Sequence, residues 1–503
     1  MSNSKRGVFR LSVLMTVLAL LAASCSSGTD APLGGTASPP PDFPATGAGP
    51  VSGATAFPGG PEDSPGESVD LGQRALTVYF PNWSVRSDPG KTVENLPWDQ
   101  ITAVNHAFWD IVPTQAMEEA YRDSGNAGLW KVNGDTPFTI RATDPEVDFG
   151  ENGHFAQYEK MCGQYPGVSV MLAVGGWTRS GMFSEMASGA ESRAVFIQSC
   201  IDTLKAYPWL AGIDLDWEYP GVDWQTNGRP PENDLDQGCP SRAGDAVNLT
   251  ALLKEMREGF DKAFPGESRQ ITICAPASSW PVNSQWNTYY PGVSTNYEFD
   301  RIIGCLDRIN VMSYDHSGSW TGVWHHTGPY ATQSRSDWSV EQAINYYVGD
   351  WALPAGKLNM GAATYARGWL LDFDKVMGGQ EAFDALKPGD ELAFLMGDTQ
   401  KGSIGEQEML LYSNICRFEA GDGWIYWLDG AARAPVQANN NPDSPYYGWI
   451  LSYDDLASVG EKVGLAGQRG IGGFIVWDSA GDAPGEQSLI AAISDGLARL
   501  GGE

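Results

Sequence analysis

The sequence predicts an α/β protein, a (β/α)8 TIM barrel that carries a small α+β insertion domain between its seventh and eighth strands. From about Arg74 to the C-terminus, short apolar runs alternate with stretches of helical periodicity, which is typical of parallel strands joined by helices. Eight of these runs are strand candidates, which is the number that closes such a barrel. They are Ala75–Phe80, Ile101–Phe108, Val168–Val174, Gly212–Trp217, Ile271–Pro276, Ile309–Tyr314, Leu358–Tyr365 and Gly473–Trp477.

The helices between these strands should pack on the outside of the barrel. In one of them, apolar side chains recur at steps of three and four residues, which places them on a single face. These side chains are Leu249, Leu252, Leu253, Met256 and Phe260. We therefore expect this helix to pack with that face against the sheet.

Two long connections leave the predicted barrel at the C-terminal ends of its strands, where barrel enzymes keep their active sites. The first connection runs from Asp110 to about Gly150. The second, roughly a hundred residues long, separates the last two strand candidates and is too long to be one helix. Because it contains strand-like pieces such as Gly423–Trp427, we predict the insertion domain at 370–460. Together the two connections should wall a cleft.

The N-terminal segment has the pattern of an export signal. Basic residues precede an apolar stretch, Leu11–Ala23, that is shorter than the ~20 residues of a membrane span. Small residues then lead to Cys25, which resembles the lipidated cysteine of bacterial lipoproteins, although Leu21 lies four places before it instead of three. We predict a signal peptide of the lipoprotein type at 1–25. Plain secretion is the alternative.

A Pro-, Gly- and Ser-rich stretch at 26–72 has almost no large apolar side chains and is predicted to be a flexible tether. The catalytic barrel is then expected at 73–503. This organisation predicts an extracellular protein or a cell-surface lipoprotein of a bacterium, attached to the membrane through a lipid on Cys25 in the second case. We expect the protein to be a monomer.

The composition argues against several classes of partner. The chain has 62 acidic and 32 basic residues, and its formal net charge of −30 repels nucleic acid and anionic lipid surfaces. A neutral polymer feels little of that charge, and 19 Trp and 19 Tyr residues supply flat apolar faces on which sugar rings can lie. Each single aromatic side chain is explained equally well as part of the core. We therefore expect no nucleic-acid partner.

The chain has seven cysteines, and an exported protein can oxidise such residues to disulfides. Cys162 and Cys200 each precede a strand candidate, on helices that should be neighbours, so we predict a disulfide between them. Cys274 falls within an apolar strand and is explained equally well as a buried free thiol.

The segment Gly212–Pro220 carries a row of acids. Side chains alternate between the two faces of a strand, so Asp214, Asp216 and Glu218 share one face. Neighbouring carboxyl groups of the row start only ~7 Å apart, and inside a barrel they cannot all be ionised without strong repulsion. At least one should therefore hold a proton near neutral pH, as a general acid must in order to protonate a departing oxygen. The residues on the opposite face are Ile213, Leu215 and Trp217.

Two alternative interpretations also fit the acid row. It can be an ordinary strand whose acids face solvent, or a divalent metal site built from oxygen ligands. The chain has only five histidines, and no second acidic cluster stands beside another strand candidate, which weakens the metal interpretation. We therefore predict a site without a metal or a cofactor.

The acid row resembles the D-x-x-D-x-D-x-E signature of glycoside hydrolase family 18, and the resemblance covers about residues 73 to 500. Further motifs of this family stand in the right order along the chain, and a stretch ending in Leu451–Asp455 is similar to the insertion domain of bacterial chitinases of the A type. Val174–Trp177 resembles the family motif S-x-G-G-W, with Ala173 in place of the Ser. Met312–Asp315 resembles M-x-Y-D, and Tyr365–Arg367 resembles Y-G-R. Trp477 resembles the tryptophan of the eighth strand.

The resemblance implies a role for each matching residue. Glu218 would be the proton donor and then the base, Asp216 would orient the N-acetyl group of the substrate, and Asp214 would share a proton with Asp216. Tyr314 would donate a hydrogen bond to the acetamido oxygen. The residues implied in substrate binding are Asp315, Met312, Arg367, Tyr365, Trp477 as the floor of the −1 subsite, and Trp83, Trp177 and Trp320 at other subsites. For the last three tryptophans, simple packing accounts for their presence nearly as well.

The implied activity is that of a chitinase, which hydrolyses β-1,4 linkages between N-acetylglucosamine units with retention and with the help of the substrate's acetamido group. Two other family activities are an endo-β-N-acetylglucosaminidase acting on N-glycans and a non-catalytic chitin-binding lectin. Glu218 argues against the lectin, and the insertion domain argues against the glycan-cleaving enzyme. A metal-dependent hydrolase is an unrelated alternative. One departure is Ala211, which replaces the first Asp of the signature and is expected to leave Asp214 with one acidic neighbour fewer.

Overall fold

A computed structural model of the chain describes residues 74–121, 131–222, 238–277, 297–318, 323–332, 339–390, 400–403, 410–416 and 423–501. The predicted signal peptide with Cys25, the predicted tether and Trp320 lie outside these ranges. Within the ranges, no helix combines the length and the apolar character that crossing a membrane requires.

The strands of the described ranges are numbered in chain order. They are β1 (Ala75–Pro81), β2 (Ala103–Ile111), β3 (Ile140–Ala142), β4 (Ser169–Gly175), β5 (Leu210–Asp216), β6 (Gln270–Pro276), β7 (Arg308–Met312), β8 (Leu358–Ala363), β9 (Tyr365–Leu371), β10 (Gln400–Ser403), β11 (Leu410–Leu411), β12 (Trp424–Leu428), β13 (Pro435–Asn439), β14 (Trp449–Ser452) and β15 (Gly473–Trp477).

The α-helices are numbered in the same way. They are α1 (Ser84–Ser87), α2 (Gln115–Tyr121), α3 (Pro145–Phe149), α4 (His154–Gln164), α5 (Phe183–Ser188), α6 (Ala190–Ala206), α7 (Asp245–Ala263), α8 (Phe299–Ile302), α9 (Val340–Ile344), α10 (Gly379–Asp384), α11 (Tyr412–Ile415), α12 (Leu456–Arg469) and α13 (Leu489–Gly501).

Eight strands form a closed barrel in which every neighbouring pair is parallel. Their order around the barrel is β1, β15, β8, β7, β6, β5, β4 and β2, and β2 pairs back with β1. The predicted (β/α)8 fold is therefore confirmed. Strand β3 pairs antiparallel with the end of β2, within the first of the two long connections.

The main core lies between the barrel strands and the helices around them. The five apolar side chains that define one face of the sequence over α7 are all buried there, as expected. Burial of each such side chain contributes about 1.5–3 kcal/mol to the free energy of unfolding. These contacts fix the helices to the outside of the barrel and leave the interior to the residues of the opposite strand face.

A second, antiparallel sheet stands between β8 and β15. Its strands lie in the order β10, β9, β14, β13 and β12, and β11 also pairs with β9. The sheet has a small core of its own, in which Trp369 and Trp427 pack with Phe383 of α10. The predicted α+β insertion is thus present between the seventh and eighth barrel strands, and its strand-like piece at Gly423–Trp427 corresponds to β12. The exact bounds 370–460 stay a prediction.

The seventh barrel strand ends earlier than the sequence indicated. We expected one strand over Leu358–Tyr365, but β8 ends at Ala363 and Tyr365 already begins β9 of the second sheet. Thr364, between them, donates its backbone N–H to the Trp477 carbonyl at 3.0 Å and its hydroxyl to the Asp478 carbonyl at 2.6 Å. These two hydrogen bonds tie the end of β8 to the end of β15, and the chain turns there into the insertion.

The predicted disulfide is wrong, because Cys162 on α4 and Cys200 on α6 are free thiols. Each sits in the packing between its own helix and the barrel, and burial raises the pKa of both thiols, that of Cys162 to about 11. Cys274 is a buried thiol within β6, the second of the two interpretations that its sequence allowed. Its sulfur lies 3.0 Å from the Tyr79 hydroxyl.

Candidate active site

The acid row lies at the C-terminal end of β5, as the alternation of side chains predicts. Asp214 and Asp216 are buried inside the barrel, and Glu218 follows two residues after the strand has ended. The alternate residues Ile213, Leu215 and Trp217 pack instead in the main core outside the barrel, where the indole of Trp217 stacks on a phenylalanine ring at 5.4 Å.

Asp214 is the most enclosed acid of the row and receives hydrogen bonds from three barrel strands. The Tyr79 hydroxyl of β1 donates to its Oδ2 at 2.7 Å, and the Asn310 amide of β7 donates to its Oδ1 at 3.0 Å. Thr272 of β6 donates to the same Oδ1, and the Cys274 thiol lies 3.7 Å from Oδ2. Burial raises the pKa of Asp214 above its usual value, although these hydrogen bonds lower it in part.

Asp216 has far fewer partners. Its side chain is buried, and its Oδ1 has no hydrogen-bond partner among the described residues. Burial, together with the negative charge of Asp214, raises the pKa of Asp216, and a hydrogen bond from Cys274 offsets only part of that rise. The pair therefore favours one proton held between two carboxyl groups, with Asp214 the better stabilised as a carboxylate.

Tight backbone contacts position the segment that carries Glu218. The Glu218 N–H donates to the Ser180 hydroxyl at 2.9 Å, and the Gly176 N–H donates to the Asp216 carbonyl at 2.8 Å. Gly175 and Gly176 have φ of 109° and 83°, which favours glycine. A Cβ at Gly175 would lie 2.3 Å from the Asp216 carbonyl oxygen, so glycine is required where β4 meets the end of the acid row.

Asp245, at the start of α7, holds the loop that follows Glu218. One carboxylate oxygen accepts the backbone N–H groups of Gly221 at 3.2 Å and Arg242 at 2.8 Å, and the other accepts the Ser184 hydroxyl at 2.8 Å. Burial raises the pKa of Asp245 to about 6 despite these hydrogen bonds. Its role was not predicted from the sequence, because nothing in the local pattern of α7 distinguishes it from a surface acid.

A second polar group surrounds Asp315 beside the acid row. Arg367 of β9 donates to both Asp315 oxygens, at 2.9 and 2.8 Å, and the Tyr365 hydroxyl donates to Oδ1 at 2.8 Å. Although burial raises it, the pKa of Asp315 is held well below its usual value by Arg367 and His326. Tyr314 lies next to this group, and burial raises the pKa of Tyr314 so that its hydroxyl stays protonated and able to donate.

Aromatic rings form the floor of this end of the barrel. The Trp477 ring at the end of β15 stacks on Phe108 at 5.5 Å with an interplanar angle of 19°, and it also contacts Tyr79 at 5.6 Å. Trp83 lies 6.4 Å from Trp477 and is 47% exposed, which is unusual for so large an apolar side chain. Trp83, Phe108 and Trp477 thus form one set of contacting rings, of which Trp83 is the most exposed and Phe108 is buried.

The structure brings most of the site residues suggested by the sequence into this one region. Met312, Tyr314 and Tyr365 belong to one buried cluster inside the barrel, against which Trp477 packs. Trp177 follows the end of β4 and is half-buried. Trp320 lies outside the described residues.

Two departures from the family motifs lie along the same strands. Ala173 is the register partner of Asp214 and offers it no hydrogen-bond donor. Val170 pairs with Leu210 and Met171 pairs with Gly212, so Ala211 is the extra residue of a bulge at the start of β5. The contacts of Asp214 come from Tyr79 and from the side chains of β6 and β7, and the effect of Ala211 on the proton balance stays a prediction.

A sequence profile described as glycosyl hydrolases family 18 matches residues 75–482. The chain belongs to this family. Chitinase A1 of Niallia circulans is 27% identical over 438 residues, which are 81% of this chain and 56% of that protein. Endochitinase 1 of Metarhizium robertsii is 27% identical over 438 residues, 84% of this chain and 85% of that protein. Among solved structures, chitinase ChiA74 from Bacillus thuringiensis has a TM-score of 0.65 at 24% identity, over 85% of this chain and 70% of that one.

Family membership confirms the resemblance drawn from the motifs, and the chain is a glycoside hydrolase by its family. Three donors to Asp214 were not predicted from the sequence: Tyr79, Thr272 and Asn310. A signal for them was available, since polar side chains inside otherwise apolar barrel strands need a buried partner. Only the register between strands shows that this partner is Asp214.

We predict that Tyr79→Phe lowers the kcat of this family 18 enzyme on a glycoside substrate. The change removes a hydrogen bond to ionised Asp214, which is worth about 1.5–3 kcal/mol, or roughly a ten- to hundredfold change in rate. Because the pKa of Asp214 then rises further, the acid limb of the pH–rate profile should move to higher pH. The measurement is kcat/KM as a function of pH.

The matched control is Tyr347→Phe, which also removes a buried tyrosine hydroxyl. This hydroxyl donates at 2.7 Å to the Pro276 carbonyl and not to a carboxyl group of the acid row. Its pH–rate profile should match that of the wild type. If Tyr79→Phe leaves both the rate and the profile unchanged, the hydroxyl has no part in the proton balance of the acid row.

Proposed function

We propose that this chain is a chitinase that hydrolyses β-1,4 linkages between N-acetylglucosamine units with retention, by substrate-assisted catalysis. The observation that carries the proposal is Asp216. Its carboxyl group is buried and has a raised pKa, and its Oδ1 has no hydrogen-bond partner among the described residues. It lies two residues before Glu218. Such a group can accept the N–H of a substrate acetamido group without the cost of breaking an existing hydrogen bond.

The reaction needs one acid and an internal nucleophile. Glu218 donates its proton to the departing glycosidic oxygen while the acetamido carbonyl oxygen attacks the anomeric carbon, so one C–O bond breaks as another forms. Asp216 accepts the acetamido N–H, and the Tyr314 hydroxyl donates to the acetamido oxygen. The product of this step is a cyclic oxazolinium. Water then attacks the anomeric carbon, Glu218 takes the proton of the water, and the second inversion restores the β configuration.

The other carboxyl groups support this choice of nucleophile. Retaining enzymes with a carboxylate nucleophile place two carboxyl groups ~5 Å apart across the scissile bond. Asp216 ends β5 and Glu218 follows it by two residues, so the two acids come from one segment and not from opposite sides of the cleft. Asp315, a further carboxylate at this end of the barrel, is held by both arms of Arg367. Because neither carboxylate is placed to attack the anomeric carbon, the acetamido oxygen of the substrate acts as the nucleophile.

The surroundings of the acids suit a sugar polymer. Trp477 with Phe108 would floor the −1 subsite, and Trp83 would extend the floor to a neighbouring sugar. Asp315 and Arg367 would bind polar groups of the sugars, with Met312 and Tyr365 completing the wall. Trp177 and Trp320 stay candidates for further subsites. The second sheet leaves the barrel directly after β8, which supports a cleft long enough for a linear chain.

We predict that Glu218→Gln abolishes turnover and leaves binding of chito-oligosaccharides intact. The amide keeps the shape of the side chain but cannot supply a proton, and loss of a general acid costs about a hundred- to ten-thousandfold in kcat. Product release from chito-oligosaccharides measures kcat, and calorimetric titration with the same ligand measures affinity. The control is Glu258→Gln, an exposed change on α7 that should affect neither quantity. Near-normal turnover by Glu218→Gln would exclude this residue as the proton donor.

We predict that fully deacetylated chitosan is cleaved more than about a thousandfold more slowly than a partly acetylated polymer of the same length. Without the acetyl group the internal nucleophile is absent, and the advantage of a preplaced reacting group is lost. The release of reducing ends over time compares the rates on the two polymers. The anomeric configuration of the first product, α or β, checks retention. Comparable rates on both polymers contradict the substrate-assisted step, and an inverted first product contradicts the family mechanism altogether.

We further propose that the protein is monomeric, with a signal peptide at 1–25 and a tether at 26–72, and that a lipid on Cys25 anchors it to a bacterial membrane. Cys25→Ser should abolish the modification and move the protein from the detergent phase of a membrane extract to the culture medium. Mass analysis of the N-terminal peptide checks the lipid directly. Unmodified wild-type protein in the medium, with an N-terminus other than Cys25, would show plain secretion.

A further inference from the structure

Three side chains with metal-binding chemistry meet outside the barrel, behind the floor of the active site. His106 lies on β2, Asp148 on α3, and His154 is the first residue of α4. All three are almost completely buried, at 1%, 0% and 2% exposure. The ring of His106 packs against α4, with Phe155 and Tyr158 each at 5.5 Å. The group is therefore held by three separate elements on the helix side of β2.

The ligand atoms of this group have the spacing of a metal site without an ion. His106 Nε2 lies 3.0 Å from Asp148 Oδ1, and His154 Nδ1 lies 3.6 Å from the same oxygen. All three atoms lie within 4.8 Å of one another. In a tetrahedral zinc site with ligand distances of about 2.0–2.2 Å, two ligands stand roughly 3.3 Å apart. The observed spacings bracket that value, so an ion fits after small movements.

One ring nitrogen of this group lacks a hydrogen bond. The Nδ1 of His154 has no hydrogen-bond partner among the described residues, although it is buried and directed at Asp148. An unpartnered buried polar atom is costly, and its presence calls for a physical reason. A metal ion between His154 and Asp148 would satisfy the nitrogen lone pair completely. At 3.6 Å, the contact between His154 Nδ1 and Asp148 Oδ1 is longer than an ordinary hydrogen bond of about 2.7–3.2 Å.

We propose that His106 Nε2, Asp148 Oδ1 and His154 Nδ1 bind one divalent transition-metal ion, Zn²⁺ in the first place. Two imidazole nitrogens and one carboxylate oxygen suit zinc and its neighbours, whereas calcium and magnesium prefer sites made of oxygen alone. Asn82 borders the site, since its amide nitrogen lies 3.4 Å from Asp148 Oδ1 and its buried Oδ1 has no partner among the described residues. Exchange of the two ends of this amide would supply a fourth ligand, and a water molecule is the other choice.

The surrounding contacts orient the ligands as metal sites require. The Trp109 indole N–H donates to Asp148 Oδ2 at 3.0 Å and leaves Oδ1 to face the two histidines. The second ring nitrogen of His106 lies 3.4 Å from the Tyr158 hydroxyl. Partners of this kind hold ligating side chains in a defined orientation. They leave His106 Nε2 free to coordinate when its other nitrogen carries the proton.

The site would act on the fold and not on the chemistry of hydrolysis. His106 lies two residues before Phe108, whose ring stacks on Trp477, and Asn82 directly precedes Trp83. An ion would therefore bind together the ends of β1 and β2, which carry two rings of the aromatic floor, and the helices α3 and α4. It would not touch the acid row, and this proposal does not depend on the identity of the substrate.

The test uses the full chain, stripped with a chelator and then titrated with ZnCl₂ in a calorimeter. We expect one equivalent of Zn²⁺ to bind and the midpoint of thermal unfolding to rise with the metal. Co²⁺ in place of Zn²⁺ should give the visible ligand-field absorption of a tetrahedral site. His154→Gln and Asp148→Asn should each weaken Zn²⁺ binding by more than about tenfold.

The matched control is His325→Gln, since His325 is also buried and its Nε2 lies 3.2 Å from a carboxylate, that of Asp429. It should bind Zn²⁺ like the wild type. His154→Gln breaks no hydrogen bond at Nδ1, so a folded variant is expected, and circular dichroism checks this. Failure of the wild type to take up Zn²⁺ and Co²⁺, or an equal loss of binding in His325→Gln, overturns the proposal. The group is then a hydrogen-bonded network only.

Discussion

Confinement of two carboxyl groups inside a closed barrel is the constraint on which the rest of this active site depends. Asp214 and Asp216 stand on one face of β5, and the parallel hydrogen bonding around the barrel leaves them no room to separate. Two like charges buried together repel each other strongly, and burial with the charge of Asp214 raises the pKa of Asp216. The donors from β1, β6 and β7 decide which group is the carboxylate, because they converge on Asp214.

The same constraint sets the shape of the strand ends around the acids. The chain leaves β5 at Asp216, and Gly176, directly after β4, must approach its carbonyl closely enough to hydrogen-bond to it. A side chain at Gly176 would lie 2.6 Å from the Phe108 ring, so the aromatic floor and the acid row fit together only around a bare backbone. The same backbone segment after β4 thus contacts both the Phe108 ring and the end of the acid row.

The sequence alone was sufficient for the parts of this structure that depend on local periodicity. The barrel strands, the buried face of α7 and the common face of Asp214, Asp216 and Glu218 follow from patterns of two and of three to four residues. The donors to Asp214 could not be assigned, because they depend on the register between strands far apart in the chain. The end of β8 was missed for a similar reason, since Thr364 finds its partners at the end of β15.

The pKa values of Asp148 and Asp216 shift in opposite directions, although both side chains are buried in the same domain. Although burial alone would raise it, the pKa of Asp148 is lowered below its usual value because His106, His154 and Trp109 surround it. Burial and the negative charge of Asp214 raise the pKa of Asp216, whose Oδ1 has no hydrogen-bond partner among the described residues. A carboxyl group surrounded by donors is stabilised as the anion, whereas one with few donors binds a proton more readily. The hydrogen-bond donors and charges beside each carboxyl group, rather than burial alone, therefore set the direction of the pKa shift in this pair.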